Sequence, residues 1–208
     1  MRRRAASAAT APTVRPRPTP CCTNSPESQP LLQDLARAAL LCNDADLRET
    51  GEGWQLTGDP TEGALLTLAL KAGLELRQSR AALPRVDVIP FESEHRFMAT
   101  LNHDHEGRGF IYLKGAPERV LALCTSQRRD DGDTPPDPEA WHARMNEAAA
   151  QGMRLLALAV RRGDAGTALS FDDIAAGGFT LLAGVGLTGP PRGEGIRAVP
   201  ACRGAGIR

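Results

Sequence analysis

The sequence predicts an α/β domain built on a mainly antiparallel, twisted sheet with helices packed against it. Three observations carry that expectation. Apolar runs of strand length recur along the chain: VDVIPF at 86–91, FMATL at 97–101, FIYLK at 110–114, MRLLALAV at 153–160 and FTLLAGVGL at 179–187. Segments with helical spacing and helix-capping residues alternate with them. A polar, glycine-bearing stretch, NHDHEGRG at 102–109, joins two of the strands closely enough for a hairpin, which makes the sheet at least partly antiparallel.

Residues 1–30 stand apart. They carry Arg2, Arg3, Arg4, Arg15 and Arg17, six prolines, and no acid before Glu27. Proline at that density breaks both periods, so the segment reads as a disordered leader, although its basic composition also suits a transit segment or a nucleic-acid-binding arm. From Leu31 the apolar residues Leu31, Leu32, Leu35, Ala38, Ala39 and Leu40 follow helical spacing, and Leu41-Cys42-Asn43-Asp44-Ala45 reads as the helix end. GDPTE at 58–62 opens the next helix, with Asp59 as N-cap, Pro60 at N1 and Glu62 at N3 in a capping-box arrangement; Gly73 suits its C-terminal end. Strands are expected at 86–91 and 97–101, a turn at 102–109, a returning strand at 110–114 and a short helix from Pro117 through Leu123. SQRRDDGDTPPD at 126–137 reads as an exposed loop. Asp137-Pro138 caps a helix that carries Trp141 and Met145 and stops at Gly152. Buried strands follow at 153–160 and 179–187, and a further helix begins at Gly193. There is no internal repeat.

Hydrophobic residues make up 41% of the 208, enough for a core, but aromatics are only 4%, so that core must be Leu, Val and Ala. Acids and bases balance at 25 each, which gives no electrostatic case for nucleic acid or an anionic membrane surface. No window approaches the ~18 apolar residues of a membrane-spanning helix. The five cysteines, Cys21, Cys22, Cys42, Cys124 and Cys202, form no CxxC pair, which argues against a disulfide framework or a structural zinc site and for reduced thiols in a cytosolic compartment. Motifs for a P-loop, a nucleophile elbow and a zinc protease are absent. His103 and His105 fall in the hairpin turn, with solvent expected around both. Asp130, Asp131 and Asp133 lack the remainder of a calcium loop. Asp44-Ala45-Asp46-Leu47 echoes the DxDx start of a phosphatase motif but has Leu where Thr or Val is needed.

Four short motifs remain: GDPTEGALL at 58–66, FESEHRFMATL at 91–101, YLKGAPE at 112–118 and GMRLLALA at 152–159, with a weaker fifth, LTGPPR at 187–192. Singly, these are a helix cap, an amphipathic strand, a turn before a helix, and a core strand. Together and in this order they resemble the nucleotide-binding domain of P-type cation-transporting ATPases, in the branch of the calcium pumps and related sodium, potassium or proton pumps, over about residues 31 to 208. The copper and heavy-metal branch lacks KGAPE. The resemblance implies a nucleotide-binding domain over 31–188, followed at 189–208 by a hinge and the start of a phosphorylation domain.

The resemblance also implies a site. Phe91 would stack on the adenine of ATP, worth roughly 0.5–1.5 kcal/mol beyond burial. Glu62 would accept from the exocyclic amino group, with Thr61 beside it. Lys114 would form the pocket floor, and Gly115 would allow close backbone approach. Lys114 is one of two lysines in an arginine-rich chain, and a compact ammonium suits that place. Arg96 and Arg154 would meet phosphate, Leu156 would pack near base and ribose, and Met98 belongs to the same motif. Ser93 stands where some relatives carry a further arginine. No catalytic or metal-binding residue is implied in this chain; ATP, as Mg-ATP in an intact pump, is the expected ligand.

The phosphorylated Asp of DKTGT and the later TGD and GDGxND motifs are not in the sequence, and Gly189 replaces the Asp of the DPPR hinge. Phosphoryl transfer needs an in-line acceptor and a metal to neutralise charge. The expectation is therefore a chain that binds ATP modestly without hydrolysing it, a piece of an integral membrane pump that lies on the cytoplasmic side and works with that pump's phosphorylation and actuator domains. The alternatives are a truncated remnant without nucleotide binding and a protein-interaction module. The transported ion is chosen in membrane helices; motif style alone leans toward calcium.

Overall fold

The computed structural model describes residues 30–163, 168–189 and 193–206. In chain order the elements are α1 (Pro30–Leu41), β1 (Asp46–Thr50), β2 (Gly53–Thr57), α2 (Pro60–Lys71), α3 (Leu76–Ala82), β3 (Arg85–Ile89), β4 (Phe97–His103), β5 (Gly109–Gly115), α4 (Pro117–Ala122), β6 (Cys124–Arg129), β7 (Gly132–Thr134), α5 (Pro138–Ala150), β8 (Arg154–Gly163), α6 (Phe171–Ala175), β9 (Phe179–Leu187) and α7 (Gly193–Gly204). Seven strands form one sheet in the order β3-β4-β5-β8-β9-β6-β7. Every neighbouring pair in it is antiparallel except β6 and β9, which run parallel. The expected α/β class and mainly antiparallel sheet are both present.

Strand alternation divides the apolar residues between two cores. Met98, Tyr112, Leu158 and Leu182 face α1, α2 and α3, where they meet Ala39, Leu40, Leu65, Leu66 and Leu76. Phe97, Ala99, Leu113, Ala157 and Phe179 face the other way, against Val120 of α4, Ile174 of α6 and the half-buried Trp141 of α5. Helices thus cover both faces, and the large side chains are mostly Leu, as the low aromatic content requires.

Helix α2 begins and ends as its sequence dictates. The Asp59 carboxylate accepts from the N–H of Thr61 at 2.7 Å and of Glu62 at 3.4 Å. Gly73 takes φ +85°, with its N–H on Leu70 and that of Leu74 on Ala69, a Schellman closure that needs glycine at this position. The capping box is only half formed, because the Glu62 carboxylate bonds to residues of other elements instead of to its own N-cap. Asp137 caps α5 through the Ala140 N–H, as expected.

Several elements differ from expectation. SQRRDDGDTPPD is not a loop throughout: β6 pairs with β9, and β7 turns back on β6. Its residues are polar because Gln127 bonds the Trp141 indole at 2.6 Å and Arg128 bonds Asp133 at 2.5 Å. The hairpin β1–β2 was not expected: it is short and most of its residues are exposed, including Trp54 and Leu56, the alternate apolar residues of β2. Helices α3 and α6 are short and opened by local N-caps, Glu75 and Ser170 with Asp173. His103 ends β4 and has its Nε2 buried, so only His105 of the two lies out in solvent. The leader at 1–29 and Pro190–Arg192 of the hinge motif lie outside the described residues.

Candidate functional site

The antiparallel register gathers the motif residues at one end of the sheet. There β4 begins, β5 ends and β8 begins: Phe97 pairs with Gly115, Met98 with Lys114, Gly115 with Ala157, and Lys114 with Leu158. The KGAPE turn, the segment leading into β4 and the start of β8 are brought to one edge, although they lie far apart in sequence. Lys114 points from that edge into the α1–α2 face.

Lys114 is buried and donates to Glu62 Oε1 at 2.6 Å. The two side chains come from β5 and from the first turn of α2, so the pair ties the sheet to the helix N-terminus. The second carboxylate oxygen, Oε2, accepts the Asp44 N–H at 3.3 Å. Each oxygen of a carboxylate has two acceptor sites. Glu62 is therefore held at both oxygens yet keeps capacity for a further donor, and it remains partly open to solvent with 18% of its side chain exposed. Cys42 lies behind the pair, wholly buried, with its thiol on the Met98 carbonyl at 3.4 Å. Burial pushes that thiol up to about 11, against the opposing pull of Lys114 and Arg85, so it stays neutral near pH 7.

Arg154, the first residue of β8, donates to Thr61 Oγ1 at 3.4 Å. This joins a second strand to the start of α2. Asp59 beside it has its carboxyl held below the usual range, chiefly by the Thr61 hydroxyl and further by the N–H groups it caps and the Arg154 charge. Met98 and Leu156 contribute to the apolar floor on the same face, Met98 fully buried and Leu156 partly so.

The segment before β4 is built differently. Phe91 is 58% exposed. Arg96 has φ +59°, the only described non-glycine residue in the left-handed region. Its carbonyl accepts the Ala116 N–H at 2.9 Å. A Cβ on Gly115 would lie 2.4 Å from that same carbonyl oxygen, so the close backbone approach expected at Gly115 is made here by the protein's own neighbouring strand. The Arg96 guanidinium donates to Glu118 at 2.7 Å on the surface. Arg96 is thus already paired with a carboxylate, which any phosphate must displace.

The structure therefore joins Thr61 to Arg154, Glu62 to Lys114, and Arg96 to Gly115, with Met98 and Leu156 beneath. Phe91 stands free on the loop. Sequence reasoning missed Asn43, Asp44 and Glu118, which hold the named residues in place. KGAPE did contain Glu118, but nothing in the sequence signals that Asn43 and Asp44 abut a helix start 18 to 19 residues away. Among the described residues no cluster of His, Cys, Asp and Glu could hold a metal, and no helix is long and apolar enough to cross a membrane.

Residues 31–194 match the family described as P-type ATPase, cytoplasmic domain N. The cation-transporting ATPase pma1 of Synechocystis sp. is 42% identical over 180 residues, which are 86% of this chain and 20% of that protein. The probable cation-transporting ATPase F of Mycobacterium tuberculosis is 42% identical over 173 residues, 82% of this chain and 19% of that one. A calcium-transporting ATPase of Bacillus subtilis is 33% identical over 186 residues, 88% of this chain and 21% of its own length. The chain thus spans about a fifth of the relatives it matches. By this match and these identities the chain belongs to the P-type ATPases, through their cytoplasmic domain N.

Proposed function

We propose that this domain binds ATP on behalf of an ATP-driven cation pump, with the base at Glu62, Lys114 and Phe91 and the phosphates toward Arg96 and Arg154. The observation that carries the reading is the buried Lys114–Glu62 pair at the sheet end, whose carboxylate keeps an open acceptor position beside an apolar floor. The adenine amino group donates there. Phe91, exposed on its loop, closes over the ring face. Thr61 lies next to Glu62 and gives Arg154 an uncharged hydrogen-bond partner, so the guanidinium gives up no charged hydrogen bond when it turns to phosphate.

The site is one open face, so affinity is modest. One stack and one or two charged hydrogen bonds, less the cost of association, leave about −4 to −6 kcal/mol, which is millimolar to high micromolar. In the pump we place residues 31–188 in the nucleotide-binding domain and 189–208 at the hinge and the start of the phosphorylation domain. The neighbouring phosphorylation domain supplies the aspartate and Mg²⁺, so this chain alone holds ATP without turning it over. Motif style leans toward calcium as the cargo, in keeping with the calcium-transporting relative of Bacillus subtilis, and we take the domain to work on the cytoplasmic side of the pump's membrane. Saturation-transfer NMR on ATP protons tests the pose: the base protons should receive more saturation than the ribose protons, and Lys114→Ala should remove the effect. Equal transfer in Lys114→Ala would refute the placement, and phosphate release abolished by a point substitution in this chain would refute the absence of turnover.

A further inference from the structure

We propose that Asn43 is a positioning residue for base selection, holding the Glu62 carboxylate in the orientation that accepts a 6-amino purine and rejects a 6-oxo purine. This rests on the reading that Glu62 meets the base. Asn43 is buried at the corner between α1 and β1. Its Nδ2 donates to the Ala39 carbonyl at 3.1 Å and to the Glu62 carbonyl at 2.9 Å, and its Oδ1 accepts the Ala45 N–H at 2.9 Å. Both amide protons and the carbonyl are therefore in use. One side chain ties the last turn of α1, the first turn of α2 and the chain leaving the corner.

That arrangement fixes the Asp44 N–H on Glu62 Oε2. Arg85 braces the corner from the other side, with Nη2 on the carbonyls of Asn43 at 2.7 Å and Leu41 at 3.2 Å, and Nη1 on the Asp44 carboxylate at 2.5 Å. With Lys114 on Oε1 and the Asp44 N–H on Oε2, the carboxylate cannot rotate without breaking one contact. A fixed carboxylate accepts well from an amino group and repels a 6-oxo group, and a polar site left unpaired is what makes such discrimination strong. Without Asn43 the carboxylate turns away from an oxo base at little cost, and the preference fades.

The test compares dissociation constants of ATP and inosine triphosphate by amide NMR for the wild-type chain, Asn43→Ala and Asp44→Ala. The wild type should favour ATP by about tenfold. Asn43→Ala should lose about tenfold on ATP and less than about twofold on inosine triphosphate. Asp44→Ala keeps its backbone N–H and should keep the preference. Equal losses on both nucleotides in Asn43→Ala, or an unchanged preference, would overturn the proposal while ATP binding stands. A wild type that binds both nucleotides equally would overturn it too, because Glu62 would not be reading the 6-position. A wild type that binds neither removes the underlying reading and this inference with it. If Asn43→Ala does not fold, the Asp44 amide proton decides: it should move to higher field in Glu62→Gln and hold its place in Glu118→Gln, and an Asp44 signal indifferent to Glu62→Gln would overturn the proposal.

Discussion

At the end of the site proposed for the base, Lys114 and Glu62 are 7% and 18% exposed in their side chains and meet at 2.6 Å, while at the end proposed for the phosphates Arg96 and its partner Glu118 are 53% and 50% exposed. The base end is anchored in the core between the sheet and α2. The phosphate end stands in water, where a salt bridge contributes little and is easily exchanged. The contrast assigns different work to the two ends. Under the proposed function the preformed, partly desolvated carboxylate selects the base, and the exposed Arg96 meets the phosphates without fixing them rigidly. In the proposed function the phosphates pass to a neighbouring domain, and looseness at that end suits this role.

The largest effect should come from breaking the base end. Lys114→Met keeps the apolar stem but leaves the Glu62 carboxylate buried without its cation, a loss of about 3 kcal/mol of stability. Urea unfolding measures this, and ATP binding should fall beyond detection. Phe91→Ala should act oppositely in kind: fivefold to tenfold weaker ATP binding, about 1 kcal/mol, with no change in the urea midpoint because the ring is already in solvent. Smaller still, Arg154→Ala and Arg96→Ala should each weaken ATP by about threefold, leave adenosine unaffected, and flatten the salt dependence of binding. A loss on adenosine equal to that on ATP would show that these arginines shape the base end instead.

The smallest effect is acid sensitivity. The Asp59 carboxyl is lowered in the folded chain, so the stability it gives is present above its ordinary value of 3.8 and is lost as pH falls through the lower folded value. Asp59→Asn keeps an N-cap side chain but cannot ionise, and should reduce the slope of stability against pH below pH 3.8 while changing little at pH 7. Thermal unfolding across that range shows whether the slope changes.

The sheet was legible where strands bury a face. Phe97–His103, Gly109–Gly115 and Phe179–Leu187 are apolar runs that declare themselves, and Asp59, Asp137 and Gly73 mark helix ends by residue type. The β1–β2 hairpin and β6 were not legible, because their own residues are mostly polar or exposed and some of their side chains answer to other elements, such as Gln127 to Trp141. The same boundary runs through the site. Glu62, Lys114 and Arg154 were found through motifs, and the structure joins the first two to each other and the third to Thr61. Their supports were hidden, since Asn43 acts through two amide protons and Asp44 through a backbone N–H, and a backbone donor leaves no mark in residue identity.

The central claim is that one end of this sheet is an ATP site. Titration of the uniformly ¹⁵N-labelled chain with ATP tests it most directly. Saturable shifts should gather at Glu62, Phe91, Lys114 and Arg154 to Leu156, with a dissociation constant in the high micromolar to millimolar range, and the β6–β7 end should stay still. A folded chain whose spectrum does not change up to about 10 mM ATP would contradict the account, since binding weaker than about −3 kcal/mol leaves no room for both a stack and a charged hydrogen bond.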